Sequence, residues 1–118
     1  MGKGFKELSV WQKARDLAIY IYQITKQGPL KNDYGLSDQM RKSAVSVPSN
    51  IAEGDELDTT KQAIKFFYTA KGSSAEVMTQ AIIAYEIGYI TREHFDDIKK
   101  ECRAIYGMLM KLIQARKK

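Results

Sequence analysis

The sequence predicts an all-α protein, an antiparallel up-down four-helix bundle, and three observations carry that prediction. Apolar residues recur at three- and four-residue intervals in four blocks. The breaks between blocks are short and rich in residues that stop and start helices. The 118 residues, 44% hydrophobic with 2 Pro and 8 Gly, suit one soluble domain over residues 1–118 with a modest core.

The first block runs from Ser9 to about Gln27. Ser9 as N-cap and Gln12 three residues later form a capping-box pattern, and Val10, Ala14, Leu17, Ile21 and Ile24 make one apolar face. Gly28-Pro29 stops it, because proline restricts the residue before it and cannot continue the backbone bonding. The second block begins near Ser37, with Leu36, Met40, Ala44, Val47 and Ile51 at helical spacing. Pro48 inside it predicts a kink or short break, since an interior proline removes a hydrogen bond and costs about 3 kcal/mol. Gly54 and the polar Asp55–Asp58 stretch end the block.

Thr59 and Gln62 open the third block, which extends to about Gly88 with Ala63, Phe66, Phe67, Ala70, Ser74, Val77, Ala81 and Ala84 inward. Gly72, Ser73 and Ser74 give it a narrow waist that a neighbouring helix can approach. Thr91 caps the fourth block, where Phe95, Ile98, Cys102, Ile105, Leu109 and Leu112 follow a nearly heptad seam. The last two blocks carry more apolar surface than one core consumes: Ile64, Met78, Ile82, Ile83 and Tyr85, then Tyr106, Met108, Met110 and Ile113. That surplus predicts self-association.

Composition excludes several functions. A lone cysteine rules out an internal disulfide and multi-cysteine metal sites, and its place on the apolar seam predicts a buried, inert thiol. The only histidine, His94, lacks the Glu-x-x-His partner of a di-iron bundle, so no metal or cofactor is expected. Phosphate-loop and dinucleotide glycine patterns are absent, no nucleophile finds a base, and no enzyme is predicted. No apolar run approaches the roughly 18 residues of a membrane span, and the start Met1-Gly2-Lys3-Gly4-Phe5-Lys6 lacks a signal-peptide core. A reducing, cytoplasmic setting is the expectation.

Nineteen Lys and Arg against fourteen Asp and Glu leave a mild excess of +5, which points towards an acidic partner such as RNA or DNA. On the fourth helix, Lys100, Arg103, Gly107, Lys111, Gln114 and Lys118 cluster opposite the seam, thickened by Lys99, Arg116 and Lys117. Lys61 and Lys65, with Lys71, and Arg41 with Lys42 form a second basic group. A solvated helix face, acidic at its start and basic at its end, accounts for the same residues without a ligand. Exposed aromatic platforms for bases are not evident, although Tyr20 falls on the polar side of the first helix. The densest polar run, Ser46-Val47-Pro48-Ser49-Asn50-Ile51-Ala52-Glu53-Gly54, places Ser46, Asn50 and Glu53 on one face, with Glu76 opposite on the next helix. It reads first as a buried polar cluster that fixes helix register, and second as a ligand contact.

That run, together with Phe5, Leu8, Trp11-Gln12-Lys13-Ala14, Leu36, Gln39, Arg41, Ala44, Ala70, Gly72, Ser73, Glu76, Gly88 and Tyr89, resembles a bacterial four-helix-bundle family. Its members include proteins encoded in intervening sequences within 23S ribosomal RNA genes. The family is similar to the accessory variability protein of diversity-generating retroelements, which forms a pentameric barrel and binds nucleic acid and a reverse transcriptase. The resemblance implies a homopentamer, RNA-related work and no catalytic residues. The function expected is therefore a non-enzymatic, self-assembling bundle that contacts RNA through backbone phosphates. The rival is an oligomeric scaffold or adaptor for another protein, such as a reverse transcriptase or ribosomal component.

Overall fold

The computed structural model describes residues 4–57 and 59–117. Four helices, α1 (Ser9–Ile24), α2 (Tyr34–Glu56), α3 (Thr60–Glu86) and α4 (Arg92–Lys117), are joined by short connections, with single 3₁₀ turns at Phe5–Glu7 and Gly28–Lys31. Among the described residues there is no strand. The molecule measures 45 × 20 × 20 Å, so helices of this length can only lie along its long axis. Neighbours run antiparallel, because residue numbers fall on one helix as they rise on its partner. Ser43 and Ser46 of α2 meet Gln80 and Ser73 of α3, and Lys13 and Tyr20 of α1 meet Glu101 and Asp97 of α4. The α2–α3 pairing is the most extensive and α1–α4 closes the ring of helices.

Local chemistry explains most boundaries, with some departures from expectation. Leu8, not Ser9, occupies the N-cap of α1, and no side chain caps it. The expected capping box does not form, because the Phe5–Glu7 turn presents the Lys6 carbonyl, to which Gln12 Nε2 donates at 2.8 Å. The helix ends at Ile24, where the Thr25 hydroxyl folds back and donates to the Ile21 carbonyl at 2.7 Å. α2 starts three residues before Ser37, because the Asp33 carboxylate caps it by accepting from the Leu36 amide at 3.0 Å. Thr59 and Thr91 cap α3 and α4 through the Gln62 and His94 amides. α3 stops in a Schellman motif: Gly88 adopts φ +81°, the Tyr89 amide donates to Ala84 and the Gly88 amide to Tyr85.

Pro48 does not break α2, which continues to Glu56. Val47 and Ile51, fully buried on either side of it, tie both halves of the helix to the core, and that burial outweighs one missing hydrogen bond. The helix ends at Glu56, inside the expected Asp55–Asp58 stretch and two residues past Gly54. Gly54 itself is buried, where a side chain would run into Phe67 of α3.

The core is built from Leu17, Ile21, Leu30, Met40, Val47, Ile51, Phe67, Val77, Ile98, Ile105, Leu109 and Ile113. Ile113, not Leu112, completes the α4 stripe. A straight α-helix drifts about 20° per heptad from a seven-residue repeat, which carries Leu112 off the seam after two heptads. Part of the predicted surplus does stay in solvent: Ile83 is 47% exposed, Ile82 and Tyr106 are also exposed, and Ile87, outside that set, joins them. An unexpected second patch, Ile19 (50% exposed), Tyr22 and Val45, lies on α1 and α2.

Both ends of the described chain meet at one end of the bundle. Phe5 borders a shallow hollow with Ala52, Leu57 and Phe66, and Arg116 of α4 pairs with Asp55 of α2 at 2.7 Å.

Candidate nucleic-acid interface

The basic residues divide into committed and uncommitted cations. Arg41 is committed: its Nε donates to Thr25 Oγ1 at 2.9 Å and its guanidinium lies 5.0 Å from the centre of the Tyr22 ring. It holds α1 to α2 and is half-buried, so it does not join a free basic surface with Lys61 and Lys65. Arg116 is committed likewise, between Asp55 and the Phe67 ring. Lys61 and Lys65 are exposed on the first turns of α3.

On α4, Lys100, Arg103 and Lys111 are all exposed, as is Gly107 between them; Lys118 lies outside the described residues. Three of the four carboxylates of the same helix, all but Glu93 in its first turn, are otherwise engaged. Asp96 takes Arg92 at 3.1 Å, Asp97 accepts from the Tyr20 hydroxyl at 2.7 Å, and Glu101 takes Lys13 at 2.8 Å. Among the described residues, none of the ion pairs within 4.0 Å involves Lys100, Arg103 or Lys111. Tyr20 is therefore an interhelical link. Its burial, together with the hydrogen bond to Asp97, pushes the phenol pKa well above its ordinary value.

The polar run on α2 is assembled only in part. Ser46 Oγ meets Ser73 Oγ across the α2–α3 contact at 2.8 Å, and Asn50 Nδ2 donates back to the Ser46 carbonyl at 2.8 Å and hydroxyl at 2.9 Å. The small waist of α3 is what lets these hydroxyls meet. Glu53 and Glu76, expected in the same cluster, are both exposed and make none of its hydrogen bonds. Glu53 instead borders the hollow that Phe5 and Phe66 line. Cys102 is buried, with its Sγ 3.9 Å from the Ser74 carbonyl, and burial pushes the thiol up to about 11. Among the described residues no three of His, Cys, Asp and Glu gather as a metal site would require. No described helix is long and apolar enough to cross a membrane.

A family model described as 23S rRNA-intervening sequence protein matches residues 6–111. The chain belongs to that family. Its match spans all of α1, α2 and α3 and most of α4. The family fold is also that of a crystal structure from Bacteroides thetaiotaomicron, of a protein with unknown function from the S23 ribosomal protein family. The two superpose with a TM-score of 0.77 at 23% identity, over 88% of this chain and 97% of that one. No curated protein matches this family member.

One feature of the surface escaped the reading of the sequence. Lys71 Nζ lies over the rings of both Tyr68 (41% exposed) and Tyr106 (51% exposed), 5.7 and 5.1 Å from their centres. The signal was present locally: Tyr68 and Lys71 are three apart on one helix, as are Arg103 and Tyr106 on the next. Their convergence is a consequence of how α3 packs on α4.

Proposed function

We propose that this family member is a non-enzymatic, self-associating, cytoplasmic bundle that contacts RNA through backbone phosphates, with Lys100, Arg103 and Lys111 as principal contacts. The observation that supports the reading is the engagement of Asp96 by Arg92, Glu101 by Lys13 and Asp97 by the Tyr20 hydroxyl, which leaves Lys100, Arg103 and Lys111 without a carboxylate partner. Point charges on one helix face bind phosphates with little sequence preference.

Self-association is the second part of the proposal. Two separate apolar patches, Ile19–Tyr22–Val45 on α1 and α2 and Ile83–Ile87 at the end of α3 and its C-cap, suit a head-to-tail contact that closes into a ring. Five subunits is the number the family resemblance implies, and five copies would multiply the +5 of one chain into a substantial field.

The test is an anisotropy titration of a structured RNA at several salt concentrations. Affinity should fall with log salt at a slope of about −0.7 to −0.9 per phosphate neutralised. Replacing Arg103 and Lys111 together by alanine should shallow that slope by about 1–2 per subunit engaged, without changing the melting temperature. An absence of binding at low salt would overturn the reading and favour a protein scaffold. Sedimentation at micromolar concentration tests the assembly, and a clean monomer would refute it.

A further inference from the structure

Between α3 and α4 runs an open groove of about 660 Å³. Its floor is apolar, with Met78 and Phe95 among the residues that form it. Its polar character is of one sign: Lys71, Lys99 and Arg103 line it, and no carboxylate does. Lys99 and Arg103 are four apart on α4, so they stand one above the other along the same wall. Tyr68 and Tyr106 complete the lining and leave much of their ring surface in solvent.

Gly72 lines this groove, and a β-carbon there would meet nothing within 4 Å. Packing within the bundle therefore does not call for glycine, the least favourable ordinary residue inside a helix. Its effect is to leave that part of the groove wall without a side chain.

A charged floor alone would suit any anion. An apolar floor alone would suit another protein. Here exposed rings alternate with cations, and Lys71 Nζ lies over one face of both rings at once, so a base stacked on the other face would have a phosphate-binding point behind the ring. Single strands offer unpaired base faces and phosphates in the same alternation, whereas a duplex hides its bases from such a surface. We propose that the α3–α4 groove binds single-stranded nucleic acid, with bases stacked on Tyr68 and Tyr106 and phosphates held by Lys71, Lys99 and Arg103. This rests on the RNA-contacting role assigned above and gives it a strand preference that the α4 stripe by itself would not confer.

The experiment compares a fluorescein-labelled twelve-nucleotide oligouridine with a blunt RNA duplex of the same length, using the full chain and single variants. The parent should bind the single strand more tightly. Tyr68→Ala and Tyr106→Ala should each weaken the single strand by about five-fold or more, the loss expected for one stacked base, and leave duplex binding unchanged. Tyr68→Phe and Tyr106→Phe, which keep the ring, should retain affinity, and Tyr34→Ala, at an exposed tyrosine elsewhere, should have no effect. Equal binding of both probes, unaffected by the alanine variants, would overturn the groove proposal and leave the phosphate contacts standing. Failure to bind either probe at low salt would overturn both. Alanine variants that change the sedimentation coefficient instead of strand affinity would show the groove covered by another copy of the chain, and would also overturn the proposal.

Discussion

Phe67 fills the space that a side chain at Gly54 would need: a β-carbon there would stand 2.7 Å from Phe67 Cε1 and 3.1 Å from the Ala63 carbonyl oxygen. The same ring carries the Arg116 guanidinium at 5.3 Å, so three helices converge on it. Gly54→Ala should therefore destabilise the fold by about 1–3 kcal/mol, the usual cost of overpacking. Gly72→Ala, where the new methyl meets open space, should stabilise it by about 0.5–1 kcal/mol through helix propensity. Urea unfolding of the two variants checks both the sizes and the opposite signs.

Asp55 and Arg116 form the best-shielded ion pair described, with side chains 16% and 32% exposed. Asp55→Ala should cost about 1–2 kcal/mol, because it leaves a half-buried guanidinium without its acceptor. Asp16→Ala, which removes an exposed partner of Arg15, should stay within about 0.5 kcal/mol. A double-mutant cycle with Arg116→Ala should assign most of the Asp55 loss to the pair.

The Ser46–Asn50–Ser73 cluster sets a further expectation. Asn50 makes its hydrogen bonds within its own helix, and Ser46–Ser73 is the bond that crosses between helices. Asn50→Ala and Ser73→Ala should each lower stability by about 0.5–1.5 kcal/mol, without the larger penalty of a fully buried orphan. Thermal melting measures this. A wild-type melt combined with lost RNA binding for Asn50→Ala would make the cluster a contact site instead.

Stability should decline in alkali. The Cys102 thiol is raised by burial from 9.0 to about 11, and the Tyr20 phenol is raised above its ordinary 10.0. Between the unfolded and folded values the unfolded chain has released a proton that the native chain keeps, so rising pH favours unfolding. Their contribution is complete below about pH 9 and is lost as pH rises towards 11 and beyond. Melting curves from pH 8 to 11 (about one unit apart) should show the fall, and Cys102→Ala should flatten its lower part.

The four helices were legible because their signals are local. Thr59 and Thr91 cap by reaching three residues ahead, and Gly88 stops α3 through its own backbone angle. Ile113 displaced Leu112, and Gly54 proved to be a packing contact near the helix end, because both depend on what lies across the bundle. The candidate interface divides in the same way. Exposure of Lys100, Arg103 and Lys111 followed from helical periodicity. The commitment of Arg41 to Thr25 and Tyr22, and the meeting of Tyr68 with Tyr106 about Lys71, required the packed helices.

Phe5 and Arg116 both lie against the last turns of α2, so the two ends of the described chain share one pole of the bundle. A short flexible tether from residue 117 back to residue 5 would span that pole, and the backbone could then be opened at Gly88, at the far end of the bundle. Such a circularly permuted chain keeps all four antiparallel neighbours while moving its free ends some 40 Å along the axis, about the length of α3. Cargo fused to the original ends would stand at one pole and cargo fused to the permuted ends at the other. In an assembled ring, that choice would decide which rim the cargo decorates.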